Sequence, residues 1–398
     1  MDLFDKCYKF SRPQEVIKAG LLPYFQIIEE NHGPVVKMGG KDIIMAGSND
    51  YLGLSQHPEV IEAAVAATKA FGSSCSGSRF LNGTSILHTK LEEELADFLG
   101  VEACLAFTTG FLTNQGVIAT LVERGEYLLS DDDNHASIVA GAWIVRARGG
   151  HVLRYTTNDM SALEAMLKKA PEGAPKFIVS DGVFSMSGRI VNLPELTRLA
   201  KAYGARVMLD EAHSAGVLGE GGRGTCSHFG LKNNKDIDLT MGTFSKSFAS
   251  LGGFVAGERQ VVDYIKYNSQ AFRFSASMAP GSVGAVRASL RIIRREPERV
   301  ERLRKISMEM RDGLKSQGFK LIESITPILP VIIGDDMGTF RFWRRLMDEG
   351  VFANAVISPG VPQGMQLIRL SLIGTYKQEH MDKILEAFRK VGKEFGLI

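Results

Sequence analysis

Two rhythms of apolar and polar residues run through this chain, one helical and one strand-like, and they alternate for most of its length. The segment PEVIEAAVAATKAF begins at Pro58, a residue suited to a first helical turn, and ends against Gly72, so it predicts a helix. Leu87, Leu91, Leu95 and Leu99 stand four apart on one face of a second helix that stops at Gly100. Short apolar runs of strand length follow: ACLAF (103–107), YLLSD (127–131), KFIVSD (176–181), RVMLDE (206–211) and DLTMG (238–242). A further helix is expected to start near Asn114. This alternation predicts an α/β fold with a mostly parallel central sheet.

After about residue 285 the texture changes. A long charged helix carries Val300, Leu303, Met310 and Leu314 on one face, the run PILPVII follows, and a closing helix presents Met381, Ile384, Leu385, Phe388 and Val391. The expected organisation is an N-terminal segment (1–55), a large domain (56–285) and a smaller C-terminal α+β domain (286–398). The 398 residues exceed what one compact core usually holds, which agrees with that division.

Composition narrows the functional classes. A formal net charge of +2 argues against a dedicated nucleic-acid binder, while leaving room for a local basic mouth that receives an anionic substrate. Cys7, Cys75, Cys104 and Cys226 are scattered with no CxxC pair, so neither a metal site nor a redox motif is expected; free thiols in a reducing cytoplasm are the plain reading. No run approaches the roughly 20 apolar residues that span a bilayer. MDLFDKCYKFSRPQEV lacks the apolar core of a signal peptide. A soluble, cytoplasmic protein without membrane insertion is expected.

The strand ends carry the chemistry. Ligands of open α/β sheets collect beyond the carboxyl ends of the strands. There the chain offers Thr109-Gly110-Phe111, then Asp210 and His213 in DEAH, then Thr243, Ser245 and Lys246 in TFSK. Backbone N–H groups at a helix start hold phosphate well. A lysine relieved of its charge by burial can form a Schiff base with an aldehyde cofactor. Asp210 closes the apolar run VMLD, and a buried acid needs a partner such as a protonated ring nitrogen. Taken singly, each has a plainer meaning: a surface lysine, a helix cap, a packed histidine. Arg369 in LIRLSL would clamp a carboxylate or close a strand-edge salt bridge.

The segments SNDYLGL (48–54), GSRFLNGT (77–84), DDDNHASI (131–138), DGVFSMSG (181–188), DEAHSAGVLGEGGRG (210–224), GTFSKSFASLGGFVAG (242–257), FSASMAP (274–280) and IRLSL (368–372) together resemble the α-oxoamine synthases, in order and over nearly the whole chain. Within that family, GSRFLNGT and GTFSKSFASLGGFVAG look most like the soluble bacterial serine palmitoyltransferases. The resemblance implies a fold-type I transferase dependent on pyridoxal 5'-phosphate (PLP). It implies that Lys246 holds the cofactor, Asp210 pairs with the ring nitrogen, His213 and Ser185 lie near the ring hydroxyl, and His135 stacks on the ring. Thr109, Gly110, Phe111, Thr243 and Ser245 would surround the phosphate, joined by Ser275 from a neighbouring subunit of a homodimer. Asn49, Ser78 and Arg369 would hold the amino-acid carboxylate.

The implied reaction is a decarboxylative condensation of an amino acid with an acyl thioester. L-Serine and palmitoyl-CoA, giving 3-ketodihydrosphingosine, are the favoured pair; glycine, alanine or an acyl carrier protein remain alternatives. Arg273, just before FSASM, stands where the serine enzymes are expected to carry an apolar residue. It would favour an anionic side chain, as in cysteate, or simply close an interface salt bridge. An aminotransferase would share Asp210 and Lys246, but GSRFLNGT and DEAHSAGVLGEGGRG argue against it. A non-catalytic subunit would be expected to lack Lys246.

Overall fold

The computed structural model describes residues 2–398. The chain divides into two compact units: one holds the residues up to Ser48, Met186–Gly188 and Lys305–Ile398, the other Asn49–Ser185 and Arg189–Arg304. The expected border at 285 therefore falls inside the second unit, and the N-terminal stretch clusters with the C-terminal one.

Strands β1 (Glu30–Asn31), β2 (Val35–Met38) and β3 (Lys41–Met45) come first. The larger unit then contributes β4 (Ala103–Phe107), β5 (Tyr127–Asp131), β6 (His151–Tyr155), β7 (Lys176–Asp181), β8 (Ala205–Asp210), β9 (Leu239–Thr243) and β10 (Gly253–Gly257). These form one seven-stranded sheet in the order β4-β10-β9-β8-β7-β5-β6. All neighbours are parallel except β10, which runs antiparallel to both β4 and β9. The apolar runs read from the sequence are thus strands within one or two residues of their expected bounds. They are apolar throughout because both faces of the sheet are covered, one by a cluster including Leu105, Val117, Ile138 and Met208, the other by one including Leu129, Leu163, Ile178 and Leu199.

Both early helices are present, Pro58–Phe71 and Ile86–Leu99, the second closed by Gly100 in the left-handed conformation at φ 68°. One expectation is corrected. The helix predicted near Asn114 begins four residues earlier, at Gly110, capped by the Thr109 hydroxyl, which accepts from Leu112 N–H. That shift puts the helix start directly at the end of β4.

In the smaller unit β1-β2-β3 is joined by β12 (Val351–Phe352), while β11 (Ile328–Ile332), β13 (Asn354–Val356) and β14 (Leu367–Ser371) form a three-stranded sheet ordered β11-β14-β13. The closing helix, Gln378–Glu394, buries Met381, Ile384, Phe388 and Val391 against a core that includes Phe342 and Trp343. Cys104 and Cys226 are buried free thiols, and burial pushes Cys226 up to about 12, consistent with inert packing. No described helix is long and apolar enough to cross a membrane.

Candidate active site

At the carboxyl ends of the parallel strands lies a cavity of about 300 Å³. Thr109, Gly110, Phe111, His135, Asp210, His213, Thr243, Ser245 and Lys246, all anticipated from sequence, line it together. Each comes from the end of a strand or the residues just after it, so the parallel register of the sheet gathers side chains that lie far apart in the chain.

The phosphate end is built by backbone. Gly110 begins its helix, and a Cβ there would lie 2.8 Å from Thr243 Oγ1. Only glycine lets the helix start approach β9 so closely. Leu112 N–H is used by the cap and Thr113 N–H by the Thr109 carbonyl, whereas Gly110 and Phe111, at the first two helical positions, have no intrahelical acceptor. Thr243 Oγ1 donates to Gly252 O at 3.0 Å and lies 2.9 Å from Ser245 Oγ, so the Ser245 hydroxyl donates to Thr243. The result is an anion cradle of open amides, with the Thr243 and Ser245 hydroxyls hydrogen-bonded beside it.

The opposite end is acidic and buried. Asp210, 3 % exposed, receives Ala212 N–H on Oδ1 at 2.8 Å and Asn114 Nδ2 on Oδ2 at 2.6 Å. Both donors are neutral, so a cationic ring N–H would supply the charge partner they do not. Beside it stands Asp181, its register partner on β7, also lining the cavity. Both Asp181 carboxyl oxygens are buried without a hydrogen bond. Burial first, and Asp210 second, hold the Asp181 carboxyl well above the usual carboxylate range, which favours its neutral form.

The two histidines are held differently. His213 Nδ1 lies 2.7 Å from the hydroxyl of the fully buried Tyr51, which also donates to Asn49 Oδ1 at 3.2 Å. His135, at the cap of the helix Ala136–Ala147, faces the cavity and has Nδ1 2.7 Å from Ser137 Oγ. Burial pushes the His135 pKa down; Asp210 opposes this and Lys246 adds to it.

Ser78 pairs through its main chain with Ala276, beside Ser275, and its loop is pinned by the buried pair of Arg79 with Glu92 at 2.8 Å. Ser78, Ser185 and Ser275 do not line the cavity of this chain. Arg273 is also outside it, its guanidinium 4.4 Å from the Phe80 ring centre and 5.4 Å from that of Phe274. Arg369 is a buried residue of β14 in the smaller unit, donating to the Ser371 hydroxyl. Sequence reasoning missed Tyr51, Asn114, Ser137 and Asp181. Asp181 had a visible signal, since it ends KFIVSD as Asp210 ends VMLD.

A sheet with this strand order and a lysine, an acid and an anion cradle converging at its carboxyl edge defines a class, and comparison with known proteins agrees. The family model for class I and II aminotransferases matches residues 41–388. The chain belongs to that family, in its α-oxoamine synthase branch. Its relatives include serine palmitoyltransferase of Sphingobacterium spiritivorum, 45% identical over 98% of this chain and 97% of that protein. The 8-amino-7-oxononanoate synthase of Thermoanaerobacter pseudethanolicus is 38% identical over 97% of this chain and 96% of that protein. Among solved structures, SPT with a PLP internal aldimine superposes with a TM-score of 0.95 at 33% identity, covering 100% of both chains. Sphingomonas wittichii serine palmitoyltransferase gives 0.95 at 32% identity, also over 100% of both chains.

Proposed function

We propose that this enzyme condenses L-serine with a long-chain acyl-CoA, palmitoyl-CoA first among them, releasing the thiol and carbon dioxide and forming 3-ketodihydrosphingosine. The chain is a PLP-dependent acyltransferase of the serine palmitoyltransferase type. The observation that carries the reading is the convergence of Lys246, the buried Asp210 and the open helix start at Gly110 on one cavity.

The residues fit the cofactor. The helix start and the Thr243 and Ser245 hydroxyls would hold its phosphate, Lys246 its aldehyde carbon, and Asp210 its ring nitrogen. When bound, PLP supplies an electron sink for negative charge developing at the α-carbon of the amino acid. Asp210, held by a donor on each oxygen, would face the ring nitrogen and favour its protonated form. Burial disfavours a second negative charge on Asp181 beside it. Lys246, which lines the cavity, would take the α-proton on Nζ. His213, oriented by Tyr51, would face the ring hydroxyl, and His135 the ring plane.

Asn49, Ser78 and Arg369 are the proposed carboxylate contacts. A homodimer in which Ser275 serves the partner's phosphate site agrees with its position outside this chain's own cavity, and a cytoplasmic location is the matching expectation. Arg273, clasped by Phe80 and Phe274, has a role in aromatic packing that needs no anionic substrate.

The test is a titration of the yellow PLP-loaded protein with serine, cysteate, glycine and alanine, followed by palmitoyl-CoA and measurement of free thiol. Saturable spectral change with serine and subsequent thiol release support the proposal. Tight binding of cysteate with little response to serine would move the substrate to a sulfonated amino acid.

A further inference from the structure

Asn114 is 1 % exposed and sits one turn into the helix Gly110–Leu121, where its carboxamide reaches two acceptors. Its Nδ2 lies 2.6 Å from Asp210 Oδ2 and 2.9 Å from Ser137 Oγ. A carboxylate only accepts, so the amide must turn its nitrogen toward Asp210; the opposite orientation would press two oxygens together. The orientation has a visible cost, because Asn114 Oδ1 is left buried without a hydrogen bond. Both Nδ2 hydrogens are then committed, one to Asp210 and one to Ser137.

Direction propagates from there. Ser137 Oγ, already an acceptor from Asn114, has its own hydrogen available for His135 Nδ1 at 2.7 Å. The Ser137 main-chain N–H approaches the same ring nitrogen at 3.3 Å. A backbone N–H can only donate, so two donors meet at Nδ1, which must present its lone pair. A neutral imidazole with Nδ1 bare carries its proton on Nε2, and a doubly protonated ring would set N–H against N–H.

We infer that Asn114 and Ser137 form a one-way hydrogen-bond relay from Asp210 that fixes His135 as the Nε2–H tautomer, making both of them positioning residues for the reaction. The histidine thereby offers a hydrogen-bond donor, not a lone pair, to an anionic oxygen of a ligand in the cavity. The logic is that of a catalytic imidazole oriented by a third group, with a serine and an asparagine in place of a single acid. What His135 acts upon rests on the proposed function; the tautomer does not.

The experiment uses full-length protein carrying ¹⁵N-labelled histidine, with and without PLP, and His135→Gln to assign the resonance. Wild type is expected to show an unprotonated Nδ1 and a protonated Nε2 at His135. Ser137→Ala, which leaves only the longer 3.3 Å main-chain donor at Nδ1, should give a mixture of tautomers, and Ser137→Thr, which restores a hydroxyl, should return the single form. With serine and palmitoyl-CoA, Ser137→Ala should lower kcat about tenfold or more, with KM for serine and the PLP absorbance changed less than about twofold. An Nδ1–H or doubly protonated His135 in wild type overturns the relay, as does an unchanged tautomer in Ser137→Ala. Correct tautomers throughout in a wild-type protein that turns over none of the amino acids would uphold the relay and sink the proposed function instead.

Discussion

The larger unit carries a cavity at each end of its parallel strands, about 300 Å³ at the carboxyl ends and about 370 Å³ at the amino ends. The second is the larger and holds more charge: Glu102, Glu126, Lys176, Arg206, Asp238 and Glu258 line it. Its charges answer one another or the backbone. Arg206 meets Asp238 at 2.6 Å, Glu102 accepts from Arg259 N at 3.1 Å, and Lys176 Nζ donates to the Ala174 carbonyl at 2.9 Å. At the carboxyl ends Asn114, Ser137, Asp181 and Asp210 are almost fully buried, and several groups are left wanting: Asp181 without a hydrogen bond, Asn114 Oδ1 without a partner, two helix amides without intrahelical acceptors. Convergent unmet need under burial, and not size or charge count, marks the chemical end.

The sharpest way to break that contrast is to remove the reactive amine. Lys246→Ala is expected to cut turnover by about 10⁴-fold or more while leaving the fold intact, with the yellow colour of the lysine-linked cofactor lost. Retained turnover would mean that the carboxyl-end cavity is not where the reaction occurs. Next is the cradle. In Gly110→Val the new Cβ would meet Thr243 Oγ1 at 2.8 Å and would force the helix start away from β9. PLP affinity should fall by about 10²-fold, or roughly 3 kcal/mol, in an equilibrium binding measurement. Undiminished affinity would remove the phosphate from the Gly110 helix start.

Much of this end could be read from the chain, because strands buried on both faces are continuous apolar runs and their last residues announce themselves by polarity. What could not be read depended on pairing across the sheet. β6 was missed because HVLRY, on an edge, mixes exposed His151 and Arg154 with apolar residues; β10 was missed because GFVAG is bounded by glycines, which read as turn. The early start of the helix at Gly110 was hidden for a related reason: glycine is a poor helix former, and a close approach to Thr243 outweighs propensity there. Asp181 and Asp210 each look like a strand boundary; only the β7–β8 register makes them a pair. Asn114 and Ser137 lie one turn inside and at the start of two different helices, and nothing local in the sequence joins them.

The carboxylate pair allows a smaller, thermodynamic test. Asp181 in the folded protein is held above its ordinary value of 3.8, chiefly by burial. As pH rises past that value the unfolded chain releases a proton that the folded protein keeps, so stability from this group declines with pH until the folded carboxyl itself ionises. Asp181→Asn has no such decline. Below about pH 4 the two cofactor-free proteins should differ least; toward neutral pH the variant should gain stability relative to wild type in urea melts. A wild type that instead gains on the variant as pH rises would mean that Asp181 is ionised and paired.

The smallest effect belongs to the amino-end cavity, and it is the one that tests whether the contrast is real. Arg206 and Asp238 form its shortest ion pair, yet the two side chains are 78% and 32% exposed. Water solvates both partners, salt screens their attraction, and ordering the long arginine side chain offsets part of the gain. Asp238 also keeps a second donor, Val207 N–H at 2.7 Å, when the arginine is gone. Arg206→Ala should therefore cost no more than about 1 kcal/mol, less at high salt, and should leave kcat, KM and the PLP spectrum unchanged. A loss several times larger, or any change in turnover, would mean that the amino ends of the strands are coupled to the chemistry at their carboxyl ends, and that paired, solvated charge is not the inert counterpart of the buried site.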